Sequence, residues 1–185
     1  MVNLAVSITG GNHKGDRIEN DFYATPKECV TSFLEQEYQY LTNKKIYEPC
    51  CGDGAISKIL IENNLDVYSS DLIDRNYGDT LDFLKVTSTD CNAIITNPPF
   101  NIAEDIIIHA LEELKVEYLA LLLKSQYWHS KRRMTLFEKY PPAIIYAMTW
   151  RPDFLKKGSP TMDCQWTVWR KNDGNTLFKP IRKKV

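Results

Sequence analysis

The residues with the clearest chemistry are Asn97-Pro98-Pro99-Phe100. They follow an apolar run, Ala93-Ile94-Ile95-Thr96, that reads as a short buried strand. Two consecutive prolines fix φ and remove backbone donors, and the residue before each is pushed out of the α region. The chain must therefore leave that strand as a stiff, extended corner. Open α/β sheets place their ligands at the carboxyl ends of strands. This corner carries an amide, two carbonyls with no competing local N–H and an aromatic face, a set suited to holding a flat group that bears an NH2.

A second constellation comes earlier in the chain. Lys45-Ile46-Tyr47 reads as a strand entering Glu48-Pro49-Cys50-Cys51-Gly52-Asp53-Gly54, with a helix predicted over 55–61. Strand, glycine turn and helix form the first half of a nucleotide-binding βαβ unit. Glycines at 52 and 54 let the backbone pass close to a ligand, with helix N–H groups aimed at it. The run has neither a G-x-x-x-x-G-K-[ST] nor a full G-x-G-x-x-G pattern. Glu48 and Asp53 would repel a pyrophosphate, but they suit a ligand carrying an ammonium or sulfonium. Asp71 ends the second predicted strand, 65–70, and lies 17 residues beyond Gly54. That is near the spacing of about 20 expected for an acid gripping a ribose diol. Asp82-Phe83 could hydrogen-bond an adenine amino group and stack on its ring, or could be a turn acid beside a core ring.

These residues need elements to position them. Thr25 as N-cap, Pro26 at the first helical position and Glu28 three residues on predict a capping box, with a helix running to about Tyr40-Leu41. The aromatic pair Phe22-Tyr23 before it is not explained by a helix start. After the corner, Asn101 is predicted to cap a helix bearing Ile102, Ile106, Leu111 and Leu114. Residues 116–123 predict a central strand, apolar throughout from Leu119, that delivers Lys124 to its carboxyl end. Lys131-Arg132-Arg133 opens a further helix, and 143–150 and 166–170 read as the last strands, the final one with one covered face. Residues 1–19 read as a flexible arm, 20–172 as a single domain, and 173–185 as a basic, frayed tail. The class is α/β: a mainly parallel seven-stranded sheet, a C-terminal antiparallel strand pair, and helices on both faces.

Composition narrows the setting. No apolar run approaches the roughly 18 residues of a membrane span, and the N-terminus lacks a signal-peptide pattern, so a soluble, cytoplasmic protein is expected. Five cysteines, an odd number without any C-x-x-C, argue against a disulfide framework or zinc, and the three histidines lack ligand spacing. The net charge of −1 hides a division. Residues 48–113 carry 13 acids against 3 bases, whereas 114–185 carry 15 bases against 5 acids. Such asymmetry points to nucleic-acid contact by the basic part.

Taken together, these residues resemble the S-adenosylmethionine-dependent amino-methyltransferases, in particular the small phage and prophage DNA adenine-N6 methyltransferases with γ-like motif order. Glu48-Pro49-Cys50-Cys51-Gly52-Asp53-Gly54 is similar to the family's glycine motif, Asp71 to its ribose acid, Asp82-Phe83 to its adenine-side pair, and Asn97-Pro98-Pro99-Phe100 to its catalytic motif. Phe22-Tyr23-Ala24-Thr25-Pro26 resembles the N-terminal motif that closes over the methionine end of the cofactor. The resemblance implies a Rossmann-like methyltransferase fold, S-adenosylmethionine as cofactor, and methyl transfer to adenine N6 in single- or double-stranded DNA. It implies cofactor contacts from Phe22, Tyr23, Thr25, Pro26, Glu48, Pro49, Cys50, Gly52, Gly54, Asp71, Asp82, Phe83 and Asn97. Lys124, Lys131, Arg132, Arg133, Arg151, Lys156 and Lys157 are the expected DNA contacts, with Trp128, Trp150 and Phe154 as candidates for the far face of the base. No stretch is left for a separate recognition domain, which points to loose specificity or to a homodimer sharing contacts. The corner alone also admits adenine in RNA, cytosine N4, glutamine in protein, or a catalytically silent binding subunit.

Overall fold

A computed structural model describes residues 23–171 and 174–184. Helix α1, Lys27–Leu41, precedes strand β1, Lys45–Glu48, and helix α2, Ala55–Glu62. Strands β2, Asp66–Asp71, and β3, Asp79–Thr80, follow, then β4, Ala93–Thr96, and helix α3, Ala103–Ile108, which widens into a π turn over His109–Glu113. Strand β5, Tyr118–Lys124, short helix α4, Met134–Lys139, and strands β6, Ile144–Met148, β7, Cys164–Trp169, and β8, Leu177–Ile181, complete the chain.

The strands form one sheet in the order β3-β2-β1-β4-β5-β7-β6-β8. All pairs are parallel except those of β7 with β5 and with β6. Period-two alternation sends side chains to two separate cores. Ile46, Ala93, Ile95, Tyr118, Ala120 and Leu122 pack with α1 and α2 on one face. Tyr47, Ile94, Leu119, Leu121 and Leu123 pack with α3 and Leu136 of α4 on the other. The expected α/β class with helices on both faces is the architecture observed.

Four local expectations are corrected. Among the described residues the sheet has eight strands, because residues 177–181, expected to fray, pair in parallel with β6. Pro180 fits that edge position because the outward side of an edge strand needs no donor. Strand β7 is buried along its whole length, since β5 and β6 flank it and both faces are covered. No capping box forms: α1 starts without a side-chain cap, its N-cap is Pro26, and Glu28 pairs with Lys183 instead. Asn101 does not cap α3, whose N-cap is Ile102.

Helix α1 is tied to the sheet by a buried polar cluster. Glu37, fully buried, accepts from the hydroxyls of Tyr118, 3.1 Å, and Tyr146, and from Nε and Nη2 of Arg170 at 3.2 and 3.3 Å. Removing one partner of a buried ion pair strands the other without compensation. Glu37→Ala is therefore expected to lower unfolding free energy by about 3 kcal/mol, read as a shift in the urea midpoint at unchanged slope.

Candidate functional site

Strands β1 and β4 are hydrogen-bonded neighbours, with Ile46 opposite Ala93 and Tyr47 opposite Ile94. The sheet order reverses between them, so the turn after β1 and the corner after β4 leave the sheet side by side. This is the crevice where doubly wound sheets bind ligands.

In the glycine turn, Gly54 has φ +79° and precedes α2 as its N-cap. A Cβ there would sit 2.5 Å from the Tyr77 ring, so the turn and that ring touch directly. Tyr77 went unnoticed in the sequence; it belongs to a loop, and no local signal ties it to the turn. Lys58 of α2 donates to the Asp53 carbonyl and lies 4.9 Å from the Tyr77 ring. Burial pushes the Cys50 thiol far up and the Cys51 thiol up to about 12, so neither is a thiolate near neutrality.

The two acids of this region have different roles. Glu48, 1% exposed, accepts from the Ser57 backbone N–H at 2.8 Å and from the Ser57 hydroxyl, which also bridges to Ser69. It satisfies an orphan donor in the first turn of α2 and acts as a cap supplied from the preceding strand. The expected partner for a cationic ligand is thus drawn inside. Asp71 stays at the end of β2, half-buried, where Oδ2 accepts from the Gly52 N–H at 2.8 Å and Oδ1 from the Ile73 N–H at 3.0 Å. The expected ribose acid therefore also fastens the glycine turn to β2. Beside it Leu72 is 62% exposed, an apolar surface that sequence reasoning passed over.

Asp82 accepts from the Leu84 N–H and pairs with Lys85. Phe83 is buried and meets Tyr47 and His109 edge-on, so its ring belongs to the core and presents no stacking face. A cleft of about 390 Å³ runs along the outer edge of β2 between Ile61, Val67 and Tyr77; it includes no residue of the Asn97 corner.

At the corner, Asn97 Nδ2 donates to Thr25 Oγ1 at 3.1 Å, joining residues 72 positions apart. The Thr25 hydroxyl, expected to cap α1, is directed across the site. Pro98 is buried, and Pro99 and Phe100 are half-buried. Lys124, from the end of β5, places Nζ 4.9 Å from the Phe100 ring centroid. Tyr23 meets Phe154 edge-on at 6.4 Å. Phe22 lies outside the described residues.

The expected DNA-contacting bases divide. Lys131, Arg132, Arg151, Lys156 and Lys157 are exposed. Arg132 pairs with Glu104 at 3.0 Å and Arg151 with Asp163 at 2.8 Å. Arg133 turns inward, donating to the Tyr127 carbonyl at 2.7 Å and lying over its ring. Trp128, Trp150 and Phe154 are all half-buried: Trp128 meets Tyr127, Phe137 and Trp169 edge-on against one core, and Trp150 and Phe154 pack against the opposite core.

No family model and no curated protein matches this sequence. Solved structures do match the fold. A candidate RNA methyltransferase from Pyrococcus horikoshii is 13% identical, aligning 91% of this chain with 97% of its own at TM-score 0.66. The modification subunit of a candidate type I restriction enzyme from Vibrio vulnificus is 13% identical at TM-score 0.59, over 90% of this chain but 48% of that subunit. Magnesium protoporphyrin IX methyltransferase from Synechocystis, solved with bound S-adenosylmethionine, is 15% identical at TM-score 0.56, covering 78% and 79%. The fold is the Rossmann-like fold of these methyltransferases.

The withdrawn acid has a measurable consequence. Burial pushes the Glu48 carboxyl up to about 8, offset in part by the Ser57 groups and reinforced by Asp71 and Asp53. Its folded pKa is above the unfolded one, so the folded chain keeps a proton that the unfolded chain releases as pH rises from about 4.5 to about 8. The ligand-free protein should lose stability across that window, by up to about 1.4 kcal/mol per pH unit. Glu48→Gln should flatten the slope in urea titrations at pH 5, 6, 7 and 8.

Proposed function

We propose that the protein transfers a methyl group from S-adenosylmethionine to the exocyclic N6 of adenine in DNA. The observation that carries this reading is the juxtaposition of the Glu48–Gly54 turn with the Asn97–Phe100 corner across the β1–β4 switch point. The methyltransferase fold of the structural neighbours, one of them holding S-adenosylmethionine, supports it. So does the modification subunit of a candidate type I restriction enzyme among them.

The donor set fits the cofactor. Asp71 offers a carboxylate to a ribose diol, Leu72 an exposed apolar surface to a purine, and the Gly52–Gly54 backbone a close approach. Lys58 is engaged with the turn's own carbonyl and ring, so no phosphate cradle competes. When bound, S-adenosylmethionine supplies an electrophilic methyl group on a sulfonium.

The chain's own residues act on the acceptor. An adenine N6 lone pair is delocalised into the ring, which makes it a poor nucleophile. With Nδ2 committed to Thr25, Asn97 has Oδ1 left to accept one N6 hydrogen, and the Pro98 carbonyl takes the other. Phe100 stacks on the base. Fixed acceptors stabilise the positive charge that grows on the nitrogen, and the stiff corner keeps the base in line with the donor. Because a base inside a duplex cannot reach the corner, the target must be flipped out or single-stranded. The exposed lysines 131, 156 and 157 lie in the basic part of the chain and would contact phosphates.

Radiolabelled cofactor tests the reading. Label should appear on adenine N6 of DNA with the wild type and be lost with Asn97→Ala; label on RNA or protein alone, or on cytosine, would sink it. The double variant Lys131→Glu/Lys156→Glu should weaken DNA binding and lower the log–log salt slope by about two phosphate contacts' worth, roughly 1.8.

A further inference from the structure

The space left by the absent Cβ of Gly54 is already taken by the chain itself. A Cβ built there would lie 2.5 Å from Cε1 and Cζ of Tyr77 and 2.6 Å from Cδ1, so that side of the half-buried ring lies against the turn. Lys58, in the first turn of α2, holds its ammonium 4.9 Å from the ring centroid. The backbone beside the ring is seated as closely. The Cys51 thiol is 3.5 Å from the Tyr77 carbonyl, and a Cβ at Gly78, φ +70°, would lie 2.7 Å from the Ser69 carbonyl oxygen. Tyr77 and Gly78 thus dock the β2–β3 loop on both the turn and β2. The same loop leaves β2 at Asp71, whose carboxylate accepts from the Gly52 and Ile73 N–H groups. The turn is therefore gripped twice, by Asp71 at Gly52 and by the Tyr77 ring at Gly54.

We propose that Tyr77 is a positioning residue for the cofactor: its ring, lying on Gly54, holds the glycine turn in the shape that binds S-adenosylmethionine. The inference deepens the cofactor part of the methyl-transfer reading and rests on it. Without the ring the turn opens, and the apparent dissociation constant rises by the inverse of the fraction still closed. A turn closed one-tenth of the time costs about tenfold in affinity. Chemistry at the corner is unaffected once the cofactor is bound, because strand order sets the β2–β3 loop beyond β1 from β4.

The test measures calorimetric binding of S-adenosylmethionine and methylation of a single-stranded oligonucleotide containing adenine. It compares wild type, Tyr77→Phe, Tyr77→Ala, Gly54→Ala and the double variant Gly54→Ala/Tyr77→Ala. Tyr77→Ala should raise the cofactor Kd and KM about tenfold, with kcat at saturating cofactor within about twofold of wild type. Tyr77→Phe keeps the ring and should match wild type. Gly54→Ala displaces the ring by itself, so Tyr77→Ala should cost nothing further in that background. An unchanged Kd, a loss confined to kcat, an equal loss in Tyr77→Phe, or an undiminished loss in the Gly54→Ala background overturns the proposal. The grip is also read without ligand, from hydrogen exchange of the Gly52 N–H and of the Gly54 N–H, which donates to the Cys51 carbonyl at 2.8 Å. Both should exchange at least about tenfold faster in Tyr77→Ala than in wild type or Tyr77→Phe. Equal exchange in all three overturns the proposal even where no cofactor binds. Faster exchange in Tyr77→Ala alone, with no cofactor bound by wild type, supports the grip and places the failure in the functional reading.

Discussion

Parallel pairing of β1 with β4 is the constraint on which the site depends. Two motifs more than 40 residues apart in sequence become one crevice because Ile46 lies opposite Ala93 and Tyr47 opposite Ile94. A slip of one residue would carry the corner about 3.3 Å along the sheet and turn every side chain of the strand to the wrong face. Burial forbids it, since Ile46 and Ile95 belong to one core and Tyr47 and Ile94 to the other. At the opposite end Asn92 closes the register: its side chain accepts from Lys45, and its carbonyl accepts from Glu117 and Tyr118 at the start of β5. One polar residue thus aligns three neighbouring strands, so that the glycine turn and Asn97 emerge at matched heights.

The division of charge along the chain becomes a division across the sheet. Residues 48–113, with 13 acids and 3 bases, supply α2, β2, β3 and β4; residues 114–185, with 15 bases and 5 acids, supply β5 to β8. Strand order places β2 and β3 on one side of the β1–β4 crevice, and β4 with β5 to β8 on the other. The acidic side therefore bounds the glycine turn, and the basic side bounds Phe100 through Lys124. An acidic wall is unfavourable for a phosphorylated ligand and favourable for a cationic one, while a basic wall raises the local concentration of polyanions. Much of this charge is nonetheless spent internally. Burial keeps Glu48 largely protonated near neutrality, and Arg132 and Arg151 hold carboxylates.

Short-range patterns were legible in the sequence, and tertiary choices were not. The Ala93–Thr96 strand, the glycine turn and the start of α2 at Ala55 follow from β-branched runs, paired prolines and glycine spacing, which act over a few residues. The tail failed because Leu177 and Phe178 are more than half exposed even in the folded strand, so their burial pattern carries no strand signal; backbone pairing with β6 orders them. Phe83 looked as suited to stacking as to the core, and contacts with Tyr47 and His109 settled it. Thr25 met every local criterion for a cap, and a partner 72 residues away outcompeted the helix. Glu48 shows the reverse case, an acid read as a ligand contact that a serine nine residues on converts into a cap.

Helix α1 explains how a threonine outside the sheet can be placed well enough to matter. Its buried stripe of Cys29, Val30, Phe33 and Leu34 lies on the core, with Phe33 stacked on Trp166 at 4.5 Å. The Trp166 Nε1–H donates to the Cys29 carbonyl at 3.0 Å, fixing the first turn to β7, and Glu37 ties the later turns to β5, β6 and Arg170. The helix is therefore anchored at both ends to the basic side of the sheet, and Thr25 stands two residues before its start. From there it reaches Asn97, which follows the end of β4. The hydrogen bond ties the segment that precedes α1 to the corner after β4.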